Sequence, residues 1–261
     1  QSSYSVNKSM ETSMARLSSG KRINAGADDA AGLFITKRMT GEIQGLNQAV
    51  RNAADAQAFL QTAEGAMEEV HTILLRIREL AVQASNGTYT AQDRIALQAE
   101  VGDLQNEINR IATDTTWNNI GLLSGAGSTG VTFQIGADNT QTMTVSISRV
   151  TISTMGINIS TANQLTTAAA AMVYISTIDT AISIISTNRG TYAAAINRLD
   201  HAIANMQNVA TNLSAAKGRI EDADFAAETS NLARVQVLQQ ASMSMLAQAN
   251  ASKQNILSLF Q

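Results

Sequence analysis

The sequence predicts a mainly α-helical protein, with long antiparallel helices in a coiled-coil bundle and one small β-hairpin. Three observations predict this fold class. The 261 residues contain no proline, which would interrupt a helix by removing a backbone donor. Only 4% of the residues are aromatic although 44% are hydrophobic, so the apolar side chains are mostly alanine and aliphatic residues. Over long stretches these residues recur at steps of three and four, the spacing of one helix face.

A regular heptad pattern between residues 178 and 213 predicts one long helix with a continuous buried stripe. Arg189 is the one charged member of this stripe. A polar residue in such a stripe typically fixes the register of neighbouring helices at some cost in stability. The stripe consists of Ile178, Ile182, Ile185, Arg189, Tyr192, Ile196, Leu199, Ile203, Met206, Ala210 and Leu213.

Two further apolar stripes predict an antiparallel helical hairpin in the N-terminal half. The first extends from residue 46 to residue 84 with Gln57 as its polar position, and the second from residue 97 to residue 111. The turn-forming residues 85–88 separate them, and Thr90 is suited to cap the second helix. A single helix cannot bury such a stripe alone, so we expect the hairpin to pack on the heptad helix.

The middle of the chain changes to an alternating apolar and polar pattern. Residues 131–135 and 143–147 alternate, and residues 136–139 between them favour a turn. This pattern predicts a β-hairpin near 131–150. The two ends of the chain have weaker helical stripes. We expect these terminal helices to become ordered only against neighbouring copies of the chain.

Composition excludes several classes of protein. The net charge of −3 does not indicate the excess of basic residues that is typical of nucleic-acid-binding domains. We find no uninterrupted apolar run of roughly 18 residues, so we expect no membrane span. Cysteine is absent, which excludes thiolate metal sites. The chain lacks an ordinary secretory signal, and it begins with Gln1, so we expect its first residues to be missing or processed.

Candidate chemical sites are few. Asp28 and Asp29 could form a metal loop, but hard cations prefer about six oxygen ligands, so a helix start is the simpler interpretation. His71 and His201 could meet in space, yet two histidines alone make a poor metal site. We find no Ser–His–Asp arrangement and no phosphate-binding glycine loop. Met243 and Met245 are interpreted as packing residues.

Several sequence blocks occur in a fixed order at both ends of the chain. In the N-terminal half they are residues 16–24 (RLSSGKRIN), 25–32 (AGADDAAG), 61–66 (QTAEGA), 76–84 (RIRELAVQA) and 116–119 (TWNN). In the C-terminal half they are residues 197–201 (NRLDH), 219–224 (RIEDAD), 241–250 (ASMSMLAQAN) and 254–260 (QNILSLF). Together these blocks resemble bacterial flagellin, the subunit of the flagellar filament, over nearly the whole chain.

Three departures from the family pattern are visible. The family normally begins upstream of Gln1, Lys253 stands where many members have proline, and Gln261 replaces a common terminal arginine. None of them alters the resemblance. Many members also carry a large variable outer domain between the two halves. Here only residues 116–164 fill that place, so we expect a short form without a separate outer domain.

The resemblance implies a domain organisation. Residues 1–30 would form an N-terminal inner-core helix and a spoke that contains Asp28 and Asp29. Residues 31–217 would form an outer-core helical bundle, and residues 218–261 a C-terminal inner-core helix, so that both termini lie in a helical inner core. The expected inner-core packing residues are Leu232, Val235, Leu238, Met245, Leu246, Ile256 and Leu257.

The resemblance also implies partners. The chain would polymerise with itself, meet hook-associated and cap proteins, bind a flagellar export chaperone, and be secreted unfolded into the extracellular flagellum. Many members are recognised by Toll-like receptor 5, and the matching positions here are Arg76, Leu80 and Glu100. Leu80 is expected to be exposed between charged neighbours. Arg76, Arg78 and Glu79 could equally be a solvated helix face.

The resemblance implies no cofactor and no enzymatic activity. Three alternatives stay open at this point. A hook–filament junction protein of the same system would share the helical ends, an all-helical enzyme would share the long bundle, and a secreted coiled-coil effector would need a membrane-active amphipathic stretch.

Overall fold

The computed structural model describes residues 2–125, 130–158 and 165–258. The chain forms five α-helices and four short strands in this described part. The helices are α1 (Ser2–Ser19), α2 (Ala30–Ser85), α3 (Ala91–Asp114), α4 (Ala168–Glu221) and α5 (Phe225–Ser258). The strands are β1 (Thr116–Trp117), β2 (Ile120–Gly121), β3 (Val131–Gln134) and β4 (Thr142–Val145). This arrangement confirms the predicted fold class.

The chain divides into two compact units. A terminal unit comprises residues 1–44 and 209–261, and a central unit comprises residues 45–208. The division falls inside α2 and inside α4, so each of these helices contributes to both units. The predicted assembly domains have other boundaries, at residues 30 and 217, and they stay a prediction about the assembled state.

The core of the central unit lies between α2, α3 and α4. The heptad stripe of α4 is confirmed between residues 178 and 206, where its members spaced by seven residues are buried and those between them are half-buried. The members buried at this spacing are Ile178, Ile185, Tyr192, Leu199 and Met206. In the stripe of α2, Leu46, Ala53, Leu60, Ala63, Met67, Val70, Leu74, Ile77, Ala81 and Ala84 are buried.

The two polar positions in the stripes both connect α2 to α4. The Gln57 side-chain amide donates to Oδ1 of Asp200 at 2.6 Å. Arg189 donates to Oε1 of Glu64 at 3.0 Å and also pairs with Glu68. These contacts agree with the expectation that polar stripe residues define the relative register of the two helices.

The predicted turn between α2 and α3 is present, and both helix ends that flank it are capped. Thr90 forms a complete capping box with Asp93 at the start of α3. At the end of α2, the guanidinium of Arg94 donates to the carbonyl of Ala84 at 2.7 Å and to that of Asn86 at 2.9 Å. The last carbonyl groups of a helix have no hydrogen-bond donor within the helix. The guanidinium of the buried Arg94 provides donors for the carbonyl groups at this end of α2.

Two antiparallel hairpins lie in the described middle of the chain. Strands β3 and β4 form the predicted hairpin, with Phe133 opposite Met143. The shorter hairpin of β1 and β2 was missed by the sequence analysis. Its turn is formed by Asn118 and Asn119, both with positive φ, at 47° and 63°, which is the conformation of a tight two-residue hairpin turn.

Buried hydroxyl groups attach the middle segment to the helices of the central unit. The side-chain amide of Gln105 donates to the hydroxyl oxygen of Tyr174 at 2.7 Å, and Tyr174 donates to the carbonyl of Ile157 at 3.0 Å. Burial raises the pKa of Tyr174 to about 12. The hydroxyl of Tyr192 accepts the backbone N–H of Ser148 at 3.0 Å.

One described helix, α4, is long and apolar enough in composition to cross a membrane, with a mean hydropathy of 1.7 over its most apolar window. The sequence analysis expected no such segment, because it searched for an uninterrupted apolar run. A single helix of this kind is weak evidence for a membrane span, since helices that contribute to a protein core share the same composition. In α4 the buried stripe described above packs within the central unit.

Candidate assembly site

Helix α1 packs against α5 in the terminal unit, and the two helices run in opposite directions. The side-chain amide of Gln239 donates to Oδ1 of Asn7 at 2.9 Å, and Arg16 lies 3.8 Å from the carboxylate of Glu228. From the sequence, the terminal helices were expected to become ordered only against neighbouring copies of the chain. Within one chain the two helices partly cover each other.

The segment between α1 and α2 (residues 20–29) pairs with the last turn of α4 and the segment that follows it (residues 218–224), and together they form what we call the terminal junction. The backbone N–H of Arg22 donates to the carbonyl of Glu221 at 2.6 Å, and that of Ala223 donates to the carbonyl of Gly20 at 3.0 Å. The guanidinium of Arg22 also donates to the carbonyl of Ile220 at 2.9 Å. Backbone pairing therefore joins the two ends of the chain at this point.

Glu221 lies at the centre of the charges in the junction. Its carboxylate is 2.6 Å from Nζ of Lys21 and 3.5 Å from Nζ of Lys217. The hydrogen bond from Lys21 lowers the pKa of Glu221, and the same contact raises the pKa of Lys21. Sequence spacing gave no signal for this long-range pair, so the analysis above missed both residues.

Asp28 and Asp29 of the predicted spoke lie in the junction, and both form helix-start or turn contacts. The Asp28 carboxylate accepts the backbone N–H groups of Ala25 and Asn24 at 2.9 and 3.0 Å, and these hydrogen bonds lower the pKa of Asp28. Asp29 accepts the N–H of Gly32 at 2.8 Å. This is the geometry of an N-cap on α2, as the sequence analysis preferred.

Gly32 in the first turn of α2 leaves room for the capping carboxylate of Asp29 and for the side chain of Ile23. A Cβ atom at this position would lie 2.5 Å from Oδ2 of Asp29 and 2.6 Å from Cδ1 of Ile23. Ile23 is buried, at 2% exposure. The small residues at the start of α2 therefore allow the junction to pack closely against this helix.

Several apolar side chains of α5 remain exposed in the single chain, and we call the surface that they form the open face of α5. Of the predicted inner-core packing residues, Leu232 and Val235 are half-buried. Leu238, Met245 and Leu246 are exposed at 48%, 70% and 50%. The side chains of Ile256 and Leu257 lie outside the described part of the structure. Contiguous exposed apolar residues typically mark a surface that another molecule covers.

The residues implied in receptor recognition lie in the central unit, and two of them are in contact. The guanidinium of Arg76 donates to Oε1 of Glu100 at 2.8 Å and to Oε2 of Glu79 at 2.6 Å, so this exposed network connects α2 with α3. The hydrogen bonds to Glu100 and Glu79 raise the pKa of Arg76. Arg78 pairs in the other direction, with Asp179 of α4 at 2.6 Å.

The expectation of an exposed Leu80 is wrong. Leu80 is 1% exposed, because α2 has neighbours on two sides, α3 through Arg76 and α4 through Arg78. The buried face of α2 is therefore wider than the narrow stripe that periodicity alone identified, and Leu80 belongs to the core of the central unit.

The side chains that could perform chemistry are scattered. Among the described residues, no group of three or more His, Cys, Asp or Glu side chains is arranged to hold a metal ion. The fold and the open face of α5 are those of a structural subunit of an assembly, in which one unit contains the paired terminal helices and the other is a helical bundle with its own core.

Comparison with known proteins gives the family. Residues 1–128 match the bacterial flagellin N-terminal helical region, and residues 175–260 match the bacterial flagellin C-terminal helical region. The chain belongs to the bacterial flagellin family. It is thus a structural subunit of the bacterial flagellar filament, which self-polymerises and is located in the extracellular flagellum.

Individual relatives agree with this family over nearly the full chain. A flagellin of Halalkalibacterium halodurans is 42% identical, with 96% of this chain and 92% of the relative covered. Flagellin FlaB2 of Treponema pallidum is 39% identical, with 98% and 94% covered. The crystal structure of Bacillus cereus flagellin is 35% identical in sequence and has a TM-score of 0.53. The matched region covers 64% of this chain and 94% of the Bacillus cereus chain.

Proposed function

We propose that the terminal unit is the element through which subunits associate in the filament interior, with α1 and α5 as the inner-core helices. The observation that supports this proposal is the apolar face of α5 that the single chain leaves exposed. Leu238, Met245 and Leu246 lie on this face, each about half exposed or more. Residues 1–30, 31–217 and 218–261 would then correspond to inner core with spoke, outer core, and inner core.

The energetics favour such an association. Full burial of one aliphatic side chain contributes about 1.5–3 kcal/mol, so covering three or four of them per subunit stabilises the assembly by several kcal/mol. Residues 235–252 contain no charged side chain, so covering this segment of α5 removes no charge from water. Because such contacts are heterologous and need not close into a ring, they produce an open helical fibre.

Removal of α5 tests this proposal. Purified full-length chain is induced to polymerise with salt and is examined by sedimentation and electron microscopy, beside a chain that lacks residues 225–261. We expect filaments from the first and none from the second, with the central unit still helical by circular dichroism. Filaments from the truncated chain would refute the proposed role of α5.

A single substitution tests the same surface with less disturbance. Leu246→Gln places a polar group on the exposed face and is expected to raise the critical concentration for polymerisation about tenfold or more. Leu246→Met keeps the side chain apolar and of similar volume, so it is the matched control and should polymerise as the wild type does.

The remaining partners are proposed on the same basis. Hook-associated and cap proteins meet the ends of the filament, and the export chaperone covers the open face of α5 before assembly. In this account the chain has a structural role and no catalytic one.

Recognition of the depolymerised subunit by Toll-like receptor 5 is a second proposed function. The exposed charged network of Arg76, Glu79 and Glu100 supports it, since these side chains lie on the outer surface of α2 and α3. The variant Arg76→Ala with Glu100→Ala should reduce receptor signalling by the monomer. Arg110→Ala removes another exposed arginine of α3 and is the control. Unchanged signalling by the double variant would count against the proposal.

A further inference from the structure

Eight methionines of this chain fall into two groups by exposure, and the other two, Met10 and Met39, are half-buried. The sequence has ten methionines and no cysteine, so methionine is its only sulfur-containing residue. Four methionines are buried, at 5% exposure or less: Met67, Met143, Met155 and Met206. Four others are exposed, at 55% or more: Met14, Met172, Met243 and Met245.

Two of the exposed methionines lie on either side of the α5 stripe that faces α1. Successive residues of a helix are rotated by about 100°. Ser242 is half-buried among exposed neighbours, which places it toward α1. Met243 is therefore about 100° to one side of Ser242, and Met245 about 60° to the other side. Subunits that cover α5 in the filament would have to contact both thioethers.

We propose that Met243 and Met245 are modification sites for peroxides in the unassembled subunit, and that their oxidation excludes the subunit from the filament. This inference rests on the proposed inner-core role of α5. Assembly in turn shields the same two residues, so the filament is resistant at positions where the free subunit is sensitive.

The chemistry balances with hydrogen peroxide as the oxidant. A lone pair of the thioether sulfur attacks one peroxide oxygen, an S–O bond forms, and the O–O bond breaks. The other oxygen leaves as hydroxide, which takes the proton of the sulfur-bound hydroxyl and becomes water. Methionine is oxidised to its sulfoxide and the peroxide is reduced. The product is polar and chiral, which disrupts apolar contacts that the thioether makes.

Peptide mass spectrometry after a limited peroxide dose tests the first half of the proposal. In the monomer, sulfoxide should form fastest at Met243, Met245, Met14 and Met172 and slowest at the four buried methionines. In preformed filaments given the same dose, the rate at Met243 and Met245 should fall at least tenfold. Equal rates at these two positions in monomer and filament would overturn the proposal.

Partition between filament and supernatant tests the second half. When partly oxidised monomer is polymerised with salt, sulfoxides at positions 243 and 245 should be at least tenfold depleted from the pellet relative to the supernatant. An equal sulfoxide fraction in pellet and supernatant would contradict exclusion. This measurement uses the wild-type chain, so it holds even where a variant folds poorly.

Variants assign the effect to residues. The double variant Met243→Leu with Met245→Leu keeps apolar side chains that peroxide does not oxidise, and it should polymerise normally after peroxide treatment. Met172→Leu is the matched control in the central unit and should remain peroxide-sensitive. If the double variant is as sensitive as the wild type, the assignment is wrong. Failure of untreated wild type to polymerise would instead refute the proposed function itself.

Discussion

Lys21 and Glu221, which lie at opposite ends of the sequence, form an ion pair of 2.6 Å beside the backbone pairing that joins the two terminal segments. The pair holds the end of α1 next to the start of α5. Both terminal helices therefore leave the junction together, which is the arrangement that a shared inner core requires.

The Lys21–Glu221 pair should make the protection of the junction's backbone amides against hydrogen exchange depend on pH. The pKa of Glu221 is lowered by Lys21. The stabilising contribution of the Glu221 carboxylate to the folded junction is therefore present above the ordinary carboxyl pKa and is lost as the pH falls through the lowered pKa. The pKa of Lys21 is raised, so its contribution is lost only as the pH rises through that raised value. Hydrogen exchange at the amides of Arg22 and Ala223 reports both losses.

A double-mutant cycle isolates this pair from the backbone contacts. Lys21→Met, Glu221→Gln and the combination should show a coupling free energy of up to about 1 kcal/mol, because the lysine is half exposed and such pairs are worth little. Coupling that vanishes would mean that the two charges act independently in the junction.

Substitution of Gly32 should destabilise the start of α2. The added Cβ in Gly32→Ala overlaps the carboxylate of Asp29 and the side chain of Ile23, and such overpacking costs about 1–3 kcal/mol. Gly41→Ala is the matched control, since a Cβ there meets no described heavy atom within 4 Å and alanine favours a helix by up to about 1 kcal/mol. Thermal unfolding should move in opposite directions for the two variants.

Leu80 and Leu75 offer a direct comparison of a buried and an exposed leucine on one helix. Leu80→Ala should lower the free energy of unfolding by about 2–5 kcal/mol, as for other core leucines. Leu75, which is 48% exposed, should lose much less. Denaturant unfolding of both variants is the measurement. If they lose equal stability, the core placement of Leu80 is incorrect.

Arg94 is expected to stabilise the end of α2 through its two carbonyl contacts. In Arg94→Met the carbonyl groups of Ala84 and Asn86 lose their buried donor, and an unsatisfied buried group costs about 1–3 kcal/mol. The exposed Arg110, which pairs only along its own helix with Glu107 and Asp114, gives the control Arg110→Met. Urea denaturation that finds the two variants equally stable would contradict the capping role.

Alkaline unfolding should report the burial of Tyr174. Its pKa in the folded chain is about 12, against an ordinary value of 10.0. Stability is therefore fully present below pH 10 and is lost progressively as the pH rises toward 12, by a total on the order of 2–3 kcal/mol. Tyr174→Phe should flatten this dependence in denaturation experiments. An unchanged slope would mean that other groups cause it.

Local periodicity was enough to predict the helices and the longer hairpin of the central unit. The stripes of α2 and α4, the capping box at Thr90 and the pairing of β3 with β4 all follow from short-range patterns, which report which face of an element is buried. The burial of Leu80 did not follow, because periodicity identifies one contact face and α2 has two neighbours.

Contacts between distant residues were beyond the sequence alone. Arg16 meets Glu228 between α1 and α5, and Lys21 meets Glu221 in the terminal junction. Single polar residues that are far apart in the chain carry no periodic signal. The turn at Asn118 and Asn119 was missed because asparagine adopts positive φ in many settings. The sequence blocks were therefore the stronger guide to function, and the geometry of the junction was the stronger guide to mechanism.

A side-chain-resolution electron microscopy structure of the salt-induced filament tests the central claim most directly. The account predicts that Leu238, Met245 and Leu246 of each subunit are buried against α1 or α5 of neighbouring copies. A filament in which these three side chains remain open to solvent, with subunits held only through the central unit, would contradict it.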